Sequence, residues 1–150
     1  MPTRTLMLHD KIPNVSEGEA VGPFKAAILR GSPEFLQLIK NANQKIVFKS
    51  EEANKDDDRM MTPRLDEKVN TLADLVEAEF PGLKLRITEA WDDGKIHAPT
   101  SRHLEGRAVD ITMSDRDIDK LGRLAGLAVE AGFDWVFFED KLHVHASVKR

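Results

Sequence analysis

FDWVFFE (133–139) and LHVHASV (142–148) both alternate like strands, and only Asp140-Lys141 stands between them. So short a connection permits antiparallel pairing alone. A purely parallel, doubly wound sheet is thereby excluded, although helices and strands interleave through the rest of the chain. Upstream, TPRLDEKVNTLADLVEAEFPG carries Thr62 as N-cap and Pro63 at the first helical position, and Pro81-Gly82 stop it. Leu65, Val69, Leu72, Leu75, Val76 and Phe80 fall on one face of that helix. GSPEFLQLIKN repeats the signal on a smaller scale, with Ser32 and Pro33 opening a short helix. SDRDIDKLGRLAGLAVEAG reads as a helix capped by Ser114, with Asp117 three residues on, and ended by Gly132. KIVFK, LKLRITEAW (83–91) and RAVDITM (107–113) read as strands. The fold expected is α+β: a two-layer sandwich, two main helices plus a short one on a mixed, largely antiparallel sheet. Residues 1–150 make one domain, residues 1–31 form an extended arm packed onto it, and residues 1–10 are expected to be flexible.

RAVDITM raises a chemical question, because a carboxylate interrupts an apolar strand. Seven positions before Asp110 stands His103, and thirty-odd residues later come His143 and His145. Residues i and i+2 of a strand share a face, so the two histidines of HVH point one way, and Glu139 across the hairpin can reach the same region. A zinc site that does chemistry takes three N or O ligands and keeps a fourth position open. His103, Asp110 and one histidine of the HVH pair supply such a set. Glu139 and the other histidine then suit a general base and an oxyanion stabiliser. Against this stands the plainer alternative: a strand histidine is usually structural, and a buried aspartate can be satisfied by an arginine such as Arg107.

The chain has no cysteine, so disulfide frameworks and zinc–thiolate sites are out, and a metal site must use His, Asp and Glu. Its net charge of 22 − 26 = −4 gives no general affinity for nucleic acid or anionic membrane. No run approaches membrane-spanning length, and the N-terminus lacks an apolar stretch of signal-peptide length. The expectation is a soluble monomer with no nucleic acid, membrane or lipid-anchor partner, cytoplasmic by default.

SRHLEGRAVDITMSDRD, LAVEAGFDWVFFEDKLHVHASVK and LKLRITEAWDD together resemble the N-terminal signalling domain of Hedgehog proteins; KIPNV and MMTPR fit the same family, so the likeness runs from Lys11 to Lys149. That domain in turn resembles zinc D-Ala-D-Ala carboxypeptidases and dipeptidases. Their S-x-H-x-x-G-x-A-x-D is met by Ser101, His103, Gly106, Ala108 and Asp110, whereas their E-x-x-H-x-H is met loosely, since three residues separate Glu139 from His143. The resemblance implies zinc ligands His103, Asp110 and His145, with Glu139 as general base and His143 and His97 lining the cleft. It also implies calcium beside the zinc, held by Glu51, Glu52 and Asp58 from an acidic loop and by Glu89 and Asp92 around Trp91. Asp56 or Asp57 could replace Asp58, and Asp93 could stand in for an aspartate that falls on Gly94. Calcium wants six to eight hard oxygens, and clustered carboxylates repel unless a cation sits among them.

Where the carboxypeptidases place an arginine in a GYR turn, this chain reads Ala90-Trp91-Asp92. With no cysteine for a lipid and an end at Arg150, the resemblance points to a free-standing, microbial (bacterial) member. Two functions follow as expectations. One is a calcium-modulated zinc metallopeptidase, hydrolysing a peptide bond in a peptide substrate such as a cell-wall peptide. The other is a binding or signalling module whose zinc cleft docks a protein partner.

Overall fold

A computed structural model describes residues 4–49, 56–92 and 99–150. Six strands form one mixed sheet. They are β1 (Lys11–Ile12), β3 (Ile46–Phe48), β5 (Leu85–Glu89), β6 (Ala108–Met113), β7 (Trp135–Phe137) and β8 (Val144–Ser147), in the order β1-β7-β8-β6-β5-β3. Every neighbouring pair is antiparallel except β3 with β5. A separate ribbon pairs β2 (Ile39–Lys40) with β4 (Met60–Met61). The main helices, α3 (Pro63–Glu79) and α4 (Leu121–Ala131), pack on each other and on one sheet face. With the short α2 (Pro33–Leu36) this is the expected two-layer α+β sandwich. A further short helix, α1 (Glu17–Val21), lies in the N-terminal arm.

Local chemistry opens the helices where the sequence places them. Thr62 Oγ1 accepts from Leu65 N and Ser32 Oγ from Phe35 N, and each cap precedes a proline whose missing N–H costs a first turn nothing. Leu65, Val69, Leu72 and Val76 are fully buried, while Leu75 and Phe80 pack at the core's margin. The opening of α4 differs from expectation. Ser114 does not cap it, because its N–H and hydroxyl both pair with Lys84, at 2.9 Å each. Asp117 instead caps a 3-10 turn (Ile118–Lys120), and α4 starts only at Leu121. The strand expected over 83–91 is also shorter. Its ladder with β6 slips between Ile87 and Glu89, and Trp91 turns away to bond Met60 O through its N–H and Ile28 O through Nε1.

Within the stretch 1–10, expected to be flexible, residues 4–6 lie against α4, and His9 and Asp10 bond Phe138. Leu6 is buried, and its N–H donates to Gly122 O at 3.0 Å. A Cβ on Gly126 would stand 1.5 Å from Arg4 O, so the close approach needs glycine there. Gly126→Ala is expected to lift residues 4–6 off the helix. Exposing Leu6 costs about 1.5–3 kcal/mol, and the helix propensity of alanine returns about 1. Net destabilisation with faster amide exchange at Leu6 is the expected outcome; an unchanged Leu6 exchange rate would refute the contact.

The sheet's period of two answers the question posed by Asp110. Val109, Ile111 and Met113 belong to the core under the helices, as do Val144, Ala146 and Val148. Asp110 and His145 therefore lie on the opposite face. There α1 lies against β7, and all six residues of β6 are buried.

Candidate metal centre

Register brings the site together before any side chain is considered. Asp110 on β6 pairs directly with His145 on β8, and Glu89 on β5 stands across from Asp110 on its other side. His103 arrives from a 3-10 turn (Arg102–Glu105) whose opening Ser101 Oγ accepts from His103 N at 3.2 Å. Gly106 ends that turn at φ +68, in the left-handed region that favours glycine, and so returns the chain to β6 within two residues.

Both histidines face one oxygen. Asp110 Oδ1 lies 3.2 Å from His103 Nε2 and 3.1 Å from His145 Nδ1. Each ring's far nitrogen is engaged elsewhere: His103 Nδ1 with Ala90 O at 2.9 Å, and His145 Nε2 with Glu17 Oε2 at 2.6 Å. Those acceptors can each hold one ring proton, so an ion that displaces the proton shared with Asp110 would meet lone pairs on His103 Nε2 and His145 Nδ1, an outer-sphere pattern typical of metal-ligating histidines. Ligands held tetrahedrally at about 2.0–2.1 Å from an ion stand roughly 3.3–3.4 Å apart. The two separations from Asp110 lie close to that and all three ligand atoms lie within 4.8 Å of one another, so the three donors are compatible with a divalent cation. Among the described residues no fourth His, Asp or Glu offers a ligand atom within 4.8 Å of all three.

The metal-free electrostatics point the same way. Burial alone would raise the Asp110 carboxyl, yet His103 and His145 beside it hold it well below the usual carboxylate range. Burial would lower His145, but its bonds to Asp110 and Glu17 push it up to about 10. Glu17 is likewise lowered, His145 outweighing the cost of its burial. The site thus stores a proton that a dication would replace.

Glu139 and His143 sit at the open side. His143 Nε2 is 2.6 Å from Glu139 Oε2 and 3.7 Å from Asp110 Oδ2, and the bond to Glu139 raises His143 despite its partial burial. The triad faces a cleft of about 400 Å³, which Glu17, Arg102, Trp135, Phe137 and Glu139 also line. Five of the expected zinc-site residues, His103, Asp110, Glu139, His143 and His145, therefore meet in one place. His97 lies outside the described residues.

The expected calcium acids are less converged. Glu51, Glu52 and Asp93 lie outside the described residues. Asp58 and Asp92 are both buried, and the Trp91 N–H to Met60 O bond draws their segments together. Among the described residues, however, no three of Asp56, Asp57, Asp58, Glu89 and Asp92 bring ligand atoms within 4.8 Å of one another. Asp57 and Asp56, the alternatives to Asp58, are paired with Arg30 at 2.9 Å and Lys40 at 2.8 Å.

Glu17 is the residue the sequence reading missed. It stands 128 positions from His145, and its only local signal is a first helical turn after the N-cap Ser16. Glu17→Ala is expected to weaken binding of Zn2+, used as probe ion, by about 10–100-fold, the usual worth of such a contact. Glu17→Gln, which keeps an acceptor, should lose less. Competition with a chromophoric chelator measures both, and an alanine variant of unchanged affinity would remove Glu17 from the centre.

Among the described residues no helix is long and apolar enough to cross a membrane. The model of the Hedgehog amino-terminal signalling domain matches residues 2–147. The chain is 54% identical over 140 residues to the Tiggy-winkle hedgehog protein of Danio rerio, covering 92% of this chain and 33% of that protein. With the Indian hedgehog protein of Gallus gallus it shares 52% over 139 residues, 91% of this chain and 34% of the relative. With Protein hedgehog of Drosophila simulans it shares 49% over 146 residues, 96% and 37% respectively. The chain thus spans about a third of the length of the curated relatives it matches. These relatives are animal proteins, and nothing in the match supports the expected microbial source or the kinship with zinc carboxypeptidases. Nor does kinship with a signalling domain support a cytoplasmic placement. A family model running almost end to end, over a sheet that carries the motif residues into one cleft, establishes that the chain belongs to the Hedgehog amino-terminal signalling domain family.

Proposed function

We propose that this domain is a signalling module in which a zinc-centred cleft docks a loop of a protein partner. The observation that carries this reading is the three-donor set opening onto a cleft, with no fourth His, Asp or Glu closing it among the described residues. His103, Asp110 and His145 would hold zinc, which when bound supplies a Lewis acid able to accept a ligand from another molecule. The chain's own residues do the rest. Ala90 O and Glu17 hold the two rings in orientation. Trp135 and Phe137, ring centroids 5.3 Å apart, give the cleft the aromatic wall that interface cores favour. Arg102, pinned by Gly22 O at 2.9 Å and Thr100 O at 3.1 Å, supplies a cation where the GYR arginine is missing. Calcium, held by Asp58, Glu89 and Asp92 with Glu51, Glu52 and Asp93, would brace the neighbouring segments.

A second reading, zinc peptidase, is favoured by one observation: the Glu139–His143 pair at 2.6 Å beside the triad. Glu139 Oε2 would take a proton from water in the cleft and pass it to the leaving amine. His143 would donate to the developing oxyanion.

The two readings separate experimentally. Docking predicts that a constrained peptide selected by display on the zinc-loaded domain is released by chelation, with no turnover of a defined peptide library at any metal concentration. Turnover that chelation abolishes, zinc restores and Glu139→Gln eliminates replaces docking with hydrolysis. A folded domain that takes up no zinc defeats both.

A further inference from the structure

Asp110 commits only one oxygen to the triad. Its Oδ1 faces His103 and His145, whereas Oδ2 points the other way, 3.7 Å from His143 Nε2. The ligand atoms of Asp110, Glu139 and His143 all lie within 4.8 Å of one another. The outer contacts repeat those of the first set. His143 Nδ1 is 3.2 Å from Asp140 Oδ1, an oxygen already fixed by the N–H groups of Leu142 at 2.8 Å and His143 at 3.1 Å. Asp140 thus places a carboxylate charge beside the far nitrogen of His143, as an ion pair where Glu17 makes a hydrogen bond to His145.

We propose that Asp110 Oδ2, Glu139 and His143 form a second divalent-cation position that shares Asp110 with the first as a bridging carboxylate. The imidazole suits zinc and the two carboxylates suit manganese, so either ion can serve as a probe. Two-metal sites hold their ions about 3.5–4 Å apart. Four carboxylates, from Asp110, Glu139, Glu17 and Asp140, surround the pair of dications.

The second position is the weaker one. The side chains of Glu139 and His143 are 42% and 22% exposed, against 2% for His103 and 9% for His145. An ion must also displace the 2.6 Å bond between Glu139 and His143. The position therefore fills only in excess metal. Filling it removes Glu139 and His143 from proton transfer and narrows the cleft, so excess metal inhibits docking or hydrolysis. That consequence rests on the functional reading above; the position itself is tested by binding alone.

Calorimetric titration of the chelator-stripped chain with Zn2+ at neutral pH is expected to show two steps, the second at least about tenfold weaker, as befits a site with fewer buried ligands. Glu139→Gln and His143→Asn should each keep the first step, which also certifies their folding, and lose the second. Manganese loading should give an exchange-coupled pair spectrum that Glu139→Gln lacks. A single step of one ion per wild-type chain overturns the proposal, as does a second step that survives both substitutions. Two steps in a domain that neither docks nor hydrolyses would uphold the second position while the functional reading fails.

Discussion

Asp110→Asn is expected to abolish stoichiometric zinc binding, the largest single effect at this centre. Asp110 is the proposed ligand that both histidines face, and a carboxamide of the same shape brings no charge and a much poorer donor oxygen. The loss should exceed by a wide margin the roughly 10–100-fold that an outer hydrogen bond such as that of Glu17 is worth. The metal-free fold is affected too. His145 would keep only Glu17 as counter-charge in a buried setting, and stripping one partner from a buried ionic set costs about 3–5 kcal/mol. Elemental analysis after gel filtration, with chelator competition on the soluble fraction, reads the first effect; thermal unfolding in chelator reads the second. An Asp110→Asn chain that holds one zinc within about tenfold of wild-type affinity, a difference worth only 1.4 kcal/mol, would show that the ion binds elsewhere.

The stabilities of the metal-free and zinc-loaded forms are expected to diverge as pH rises. In the metal-free domain His145 rises from its ordinary 6.5 to about 10. Its contribution to stability is therefore full below about 6.5 and fades as pH climbs toward 10. Asp110 is lowered from its ordinary 3.8, so its contribution is present above that value and is lost as pH falls below it. The metal-free centre thus favours folding most between about pH 4 and 6.5. Zinc bound at the proposed centre would take the place of the His145 Nδ1 proton. Its affinity should accordingly rise about tenfold per pH unit, or about 1.4 kcal/mol of added stabilisation, until His145 is deprotonated on its own. Thermal unfolding at about pH 5.5, 7 and 8.5, in buffered zinc and in chelator, should show a gap in Tm that widens with pH. A gap that is constant or narrows would mean that no proton is exchanged for the ion.

How much was legible depended on the range of the interaction. The cap-and-proline pairs Ser32-Pro33 and Thr62-Pro63 act within three residues and open helices where they stand. The 3.6-residue stripe of α3 and the alternation of β7 and β8 are likewise local. Ser114 looked equally like a cap, but Lys84, thirty residues away, claims both its hydrogen-bonding groups, so α4 begins later. Spacing alone placed His143 and His145 on one face without choosing between them as partner of Asp110. Cross-strand register makes that choice, because His145 lies directly opposite Asp110. His143 falls beside Asp110's other oxygen instead.

Residue order by itself determined the α+β class, the candidate metal-ligating residue types and the family, because caps, periodicities and the SRHLEGRAVD motif are all written within short windows. Only the tertiary structure decided that Glu17 orients His145, that the arm packs on the Gly122–Gly126 face, and that Asp110 divides its two oxygens between two sets of neighbours. Those contacts join segments up to 128 positions apart. Chain topology and sheet register set them, and neither leaves a periodic trace in the residues that meet.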